Sequence, residues 1–192
     1  MGYLCLAVIA LVAVSAVKSN TELEDYDRIE MSLETTKNCK DLPNGKIRLN
    51  DIVIEQLGRN KMAISGTLDV EVPVTDSFKL KVMLTKCPSK LDRHMCEDFP
   101  ETMINDFCKK LPKEGQVWSD FVKDLKHFDP HCPIPKGHYK FHRHPIDVEG
   151  VANMPLMEGY WIMICEGYIH GERVMCERTE MVYSRKVRRH HA

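Results

Sequence analysis

The chain has 192 residues, 43% hydrophobic and 29% charged, with 27 lysines and arginines against 28 aspartates and glutamates. A formal net charge of −1 excludes the strongly basic field that a nucleic-acid binder uses, and the apolar share is enough for one domain with its own core. Eight cysteines make the redox compartment the next question.

From Leu4 to Val17 the chain is apolar, with no charge before Lys18. That run matches the apolar region of a signal peptide and falls short of the roughly 20 residues that span a bilayer. Ala16 and Ser19 offer small residues for cleavage. The expected organisation is a signal peptide over residues 1–19 and a single domain over 20–192, secreted and extracellular. The acids Glu22, Glu24, Asp25 and Asp27, and the bases Arg185, Lys186, Arg188 and Arg189, read as solvated ends, the basic tail alternatively as a contact for anionic lipid.

Beyond Lys46 apolar and polar residues alternate. Ile47 and Leu49, Ile52 and Ile54, Met62 and Ile64, then Leu68, Val70 and Val72, and then Phe78, Leu80, Val82 and Leu84 follow the period of half-buried antiparallel strands. Turn residues separate them at Pro43-Asn44-Gly45, Gly58-Arg59-Asn60 and Pro73 to Ser77. From Glu101 to Phe128 the spacing turns helical, with Met103 and Phe107, then Trp118, Phe121, Val122 and Leu125. Pro112 and Gly115 divide this stretch into two short helices, or a helix and an ordered loop. Trp118 and Phe121 fit either core packing or a ligand-contacting lid. Alternation resumes at Tyr139 and Phe141, continues from Tyr160 to Cys165, and ends with Val174 to Tyr183. The expected fold is all-β, an antiparallel β-sandwich or cup with a short helical insert and disulfide bridges.

Setting Cys5 aside with the leader leaves Cys39, Cys87, Cys96, Cys108, Cys132, Cys165 and Cys176, an odd number in an oxidising setting. His94, His127, His131, His138, His142 and His144 lie near some of them, but no two cysteines have the two-to-four-residue spacing of a structural zinc site, so no metal is expected. His138, His142 and His144 read as solvated. In the strand from Gly159 to Gly167, Trp161, Met163 and Cys165 share one face. Tyr160, Ile162 and Ile164 share the other, which is apolar enough to need cover from a helix or a partner chain. The chain lacks a Gly-x-Ser-x-Gly elbow, a His-Glu-x-x-His pair, a phosphate loop and a Rossmann glycine set, so neither catalysis nor a cofactor is expected.

Three motifs occur in order: Cys-Pro-x-Pro-Lys-Gly-x-Tyr at Cys132 to Tyr139, a Gly-x-aromatic pair at Gly159 and Trp161, and Gly-x-Arg-x-x-Cys at Gly171 to Cys176. Together they resemble the C-terminal half of the arthropod CheA/CheB chemosensory family. That family is similar to the lysosomal ganglioside-activator protein and, more distantly, to the ML lipid-recognition fold. The resemblance implies a β-sandwich with an apolar cavity for a lipid. It also implies a cysteine pairing that spacing leaves open: Cys39 with Cys176, Cys87 with Cys96, and Cys108 with Cys132. Cys165 is then left as a buried free thiol.

The expected function is a secreted, non-catalytic binding protein for a lipid or hydrophobic semiochemical, in contact chemosensation beside a membrane receptor or channel. Trp161 and Met163 would form the wall and Trp118 and Phe121 the lid. Two alternatives stand beside it: a glycolipid activator presenting membrane lipid to a hydrolase in the lysosomal lumen, and a ligand-free β-sandwich acting through a protein partner.

Overall fold

The computed structural model describes residues 28–58, 61–114, 128–147 and 158–186. The larger sheet has strands β1 (Arg28–Asn38), β9 (Glu172–Lys186), β8 (Gly159–Ile169), β4 (Phe78–Cys87) and β5 (Glu97–Asp98) in that order, with β6 (Thr102–Ile104) also paired to β4. The smaller sheet has β2 (Ile47–Gly58), β3 (Lys61–Val70) and β7 (Gly137–Asp147). Every strand pairing is antiparallel. The expected all-β class is therefore the observed one, and the helical insert is small: its described part is the four-residue helix α1 (Phe107–Lys110).

Alternation explains the strands because successive side chains point to opposite faces. On β4, Phe78, Leu80, Val82 and Leu84 are buried, and Lys79 between the first two is exposed. Register carries this inner row across the sheet, from Val82 to Cys165 and Leu84 to Met163, and from Trp161 to Met181 and Leu33. Gly167 lies opposite Leu80, and a Cβ there would come within 2.8 Å of the Phe78 ring. The glycine makes room for that aromatic. The β8–β9 hairpin closes through His170 and Gly171, at φ 52° and 84°, the two left-handed residues that fit the twist of a tight hairpin.

Three departures from the expected elements have local causes. First, β1 is a full edge strand, whereas the sequence suggests strands only from Ile47. Its Met31 and Leu33 are buried, but a bulge between Leu33 and Thr35 breaks the alternation before Thr36. Second, Met103, expected in a helix, lies on β6 and is exposed, because this segment pairs with Lys81 on β4. Third, His144 is buried on β7 rather than solvated. The register shifts between Ile64 and Gly66, Arg143 takes φ 47°, and its N–H donates to Ser65 Oγ at 2.9 Å. Two outward residues in succession, His142 and Arg143, then turn His144 inward.

The disulfides Cys39–Cys176, Cys87–Cys96 and Cys108–Cys132 are all present. They fit an oxidising compartment. No helix among the described residues is long and apolar enough to cross a membrane. Part of the outer row of β8 is covered, among the described residues, by a loop that includes the short 3-10 helix Arg93–Met95. Tyr160 and Ile162 are buried with Cys87 and partly buried Cys96, beneath the loop that this cystine closes. Arg93 of that loop lies 5.5 Å from the Tyr160 ring centroid, a cation–π distance.

Cys39–Cys176 spans 137 residues and Cys87–Cys96 spans 9. Loop entropy predicts that replacing the first pair by alanine lowers the unfolding free energy by about 5 kcal/mol, against about 3 for the second. Urea denaturation of the two double variants measures both. Equal losses would show that loop length does not set the difference.

Candidate functional site

The inner face of the larger sheet is the candidate site. Trp161 and Met163, expected as wall residues, are brought together there on β8, both buried, with Trp161 5.3 Å from the Phe99 ring. The expected lid residues Trp118 and Phe121 lie outside the described residues. Five methionines contribute to the same interior: Met31, Met163, Met175 and Met181 from the larger sheet and Met62 from the smaller. Where the bulge in β1 interrupts the ladder, Leu33 N–H points to Met62 Sδ at 3.5 Å across the sandwich.

Cys165 corrects the expectation of a free thiol. It is fully buried on this face and disulfide-bonded, with its partner outside the described residues.

Polar residues interrupt this apolar face on β9 and β1. Glu177 and Thr179 stand two apart on β9, facing Asn38 and Thr36 on β1. Glu177 is 1% exposed, and Thr36 and Thr179 are also buried. Thr179 Oγ1 donates to Glu177 Oε1 at 3.1 Å, and the two threonine hydroxyls lie 2.5 Å apart. Glu177 Oε2 has no hydrogen-bond partner among the described residues. Burial pushes the Glu177 pKa up to about 7, with partial relief from the positive charge of the N-terminal amino group and from the bonds of Thr179 and Thr36. Nothing in the sequence-level pattern marks this glutamate, because an acid in a strand ordinarily faces water. Its signal is positional: Glu177 shares parity with Met175, Thr179 and Met181.

The outer face is chemically different. A cleft of about 500 Å³ is lined by Lys37, Lys40, Arg93, Arg173, Arg178 and Glu166 among others. Most of these charges are spent on one another. Arg173 binds Asp41 and Glu166, each at 2.6 Å, and these bonds raise its pKa further. Arg178 binds Glu180 at 2.8 Å, and Glu180 accepts the Tyr160 hydroxyl. Burial alone would push Glu180 up, but Tyr160 and Arg178 hold it below the usual carboxylate range. Burial and the same carboxylate push Tyr160 up to about 12. Cys39, Asp41 and Cys176 place ligand-type atoms within 4.8 Å of one another, but both sulfurs belong to a cystine and Asp41 is held by Arg173. The cluster offers no thiolate for a metal.

No family model matches the chain, and no curated protein matches it.

Glu177 predicts a pH signature. Its folded pKa of about 7 lies above the 4.5 of an ordinary glutamate, so the folded state holds the extra proton between those values. The associated stability is full below pH 4.5 and is lost as pH rises through 7, by about 3 kcal/mol in all. Glu177→Gln removes that slope. Thermal unfolding across this window should show the variant gaining on the wild type as pH rises. Parallel profiles would count against the assignment.

Proposed function

We propose that this chain is a secreted, non-catalytic binding protein that holds a lipid or another hydrophobic molecule, a semiochemical among them, between its sheets. The single observation that carries the proposal is the group of five buried methionines, Met31, Met62, Met163, Met175 and Met181, set among the Leu, Ile and Val side chains of the interior. Met is unbranched and polarisable, so these five positions adjust to guests of different shape more readily than the Leu, Ile and Val side chains around them. The resemblance of the Cys132 to Cys176 stretch to CheA/CheB proteins supports the same reading. It suggests contact chemosensation, with delivery to a membrane receptor or channel.

Disulfide placement is consistent with such a container. Cys39–Cys176 fastens the β1–β9 edge, Cys87–Cys96 pins a loop on the outer face, and Cys108–Cys132 ties α1 to the segment leading into β7. None of these three runs between the inner faces. Trp161 and Met163 act as walls in this reading, and each methylene of a bound chain contributes about 0.8 kcal/mol.

Native mass spectrometry of the secreted protein, followed by organic extraction, is the direct test. A reproducible lipid or hydrocarbon adduct is expected. In a homologous series of primary alcohols, affinity should rise roughly fourfold per methylene until the interior is full. A protein that emerges bare and takes up no alcohol of any length would sink the proposal.

A further inference from the structure

The least explained group inside the sandwich is the carboxyl of Glu177. A buried acceptor without a partner costs about 1–3 kcal/mol, more when charged, and native proteins keep such groups where something else satisfies them. Thr179 serves one oxygen of Glu177 and Thr36 also favours its charged form, while Oε2 is buried with no hydrogen-bond partner among the described residues. None of its described neighbours closes that gap. Across the sheet it faces Asn38 on β1 and Cys165 on β8. The Asn38 amide is engaged with the Leu49 backbone, donating through Nδ2 at 2.7 Å and accepting through Oδ1 at 3.2 Å. Cys165 is disulfide-bonded. Met175 and Thr179 flank it on β9, and β4 contributes Val82 and Leu80 to the same face. Leu49, Ile64 and Leu68 come from the smaller sheet, whose other buried titratable residue is His144 on β7. None of these described inward residues on β1, β4, β8 or β9 carries a cation, and the positive charge that acts on Glu177 is that of the N-terminal amino group.

We propose that Glu177, flanked by Thr36 and Thr179, is the polar anchor of a ligand site on the inner face, taking a hydrogen-bond-donating head group, a hydroxyl or an amine, at the end of an apolar chain. This rests on the proposed binding function and narrows its ligand class. The open Oε2 accepts the donor, the threonines hold the carboxyl in place, and the adjacent Met163, Met175 and Met181 receive the chain. An acceptor-only head such as an ester or ketone is disfavoured when the carboxyl is ionised, because two acceptors then face each other. A carboxylate head is disfavoured further by like charge.

The test uses dodecane, dodecanol and dodecylamine as competitors against a polarity-sensitive fluorophore, at mildly alkaline pH where Glu177 is ionised. The wild type should favour dodecanol over dodecane by about tenfold, the return on one hydrogen bond to a charged acceptor. Glu177→Leu should abolish that preference, so that dodecanol no longer outcompetes dodecane. Glu177→Gln has the shape of the native residue and retains an acceptor oxygen, so it should keep the dodecanol preference while losing affinity for dodecylamine by about tenfold. If the wild type binds all three and neither variant changes their order, the open oxygen holds water, and the anchor is overturned while the binding function stands. If the wild type binds none of them, the binding function itself fails and the anchor fails with it.

Discussion

The corner where β1 meets β9 is the constraint on which the remainder of the molecule depends. Cys39 and Cys176 are joined there covalently, and Cys39 N–H donates to the Cys176 carbonyl at 3.0 Å. One residue earlier, the Asn38 side chain makes paired bonds with the Leu49 backbone on β2. A single short segment therefore ties the edge of one sheet to itself and to the other sheet. Edge strands fray and recruit foreign strands when left free. Here the edge is closed by a cystine whose loop is long enough to contribute more than any other described.

That corner also explains how the fold tolerates Glu177. The glutamate follows Cys176 directly, so its backbone sits at the most constrained place in the sheet. Elsewhere a strand could relieve a buried carboxyl by slipping one residue and turning it to solvent, since side-chain parity is strict. At Glu177 such a slip would break the cystine geometry and remove Asn38 from Leu49. Covalent constraint and buried charge are coupled: the first supplies stability that the second consumes, by comparable amounts of a few kcal/mol.

Much of this architecture is legible in the sequence, for a physical reason. Strands buried on one face must alternate, so β2, β3, β4 and the β8–β9 hairpin are written as periodic rows such as Phe78, Leu80, Val82 and Leu84. The apolar outer row of β8 is equally legible, since Tyr160 and Ile162 demand cover. What escapes is where the period is broken. The bulges beside Leu33 and Arg143 insert a residue into one strand only, which hides β1 and misassigns His144. The identity of the cover over Tyr160 is a long-range matter, decided by a loop that Cys87 and Cys96 bring back onto β8. Glu177 escapes for a different reason. Composition treats a glutamate as a surface residue, and only the register to Cys165 and Asn38 reveals which way it faces.

Under the proposed binding function, affinity and discrimination reside in different residues. Apolar walls supply free energy in proportion to the area they cover, and methionines supply it with little regard for the shape of the guest. On that proposal, altering Met163 or Met175 changes how tightly all guests bind and leaves their order nearly intact. A lone polar group works the other way. It contributes little to total affinity, but a guest that leaves it unsatisfied forfeits the full desolvation cost, so the order of guests changes sharply. On the same proposal, selectivity for a head group can evolve at Glu177 and its two threonines without disturbing the walls, and chain-length preference can evolve in the walls without disturbing the anchor. The separation holds as long as the Cys39–Cys176 corner keeps the anchor facing inward.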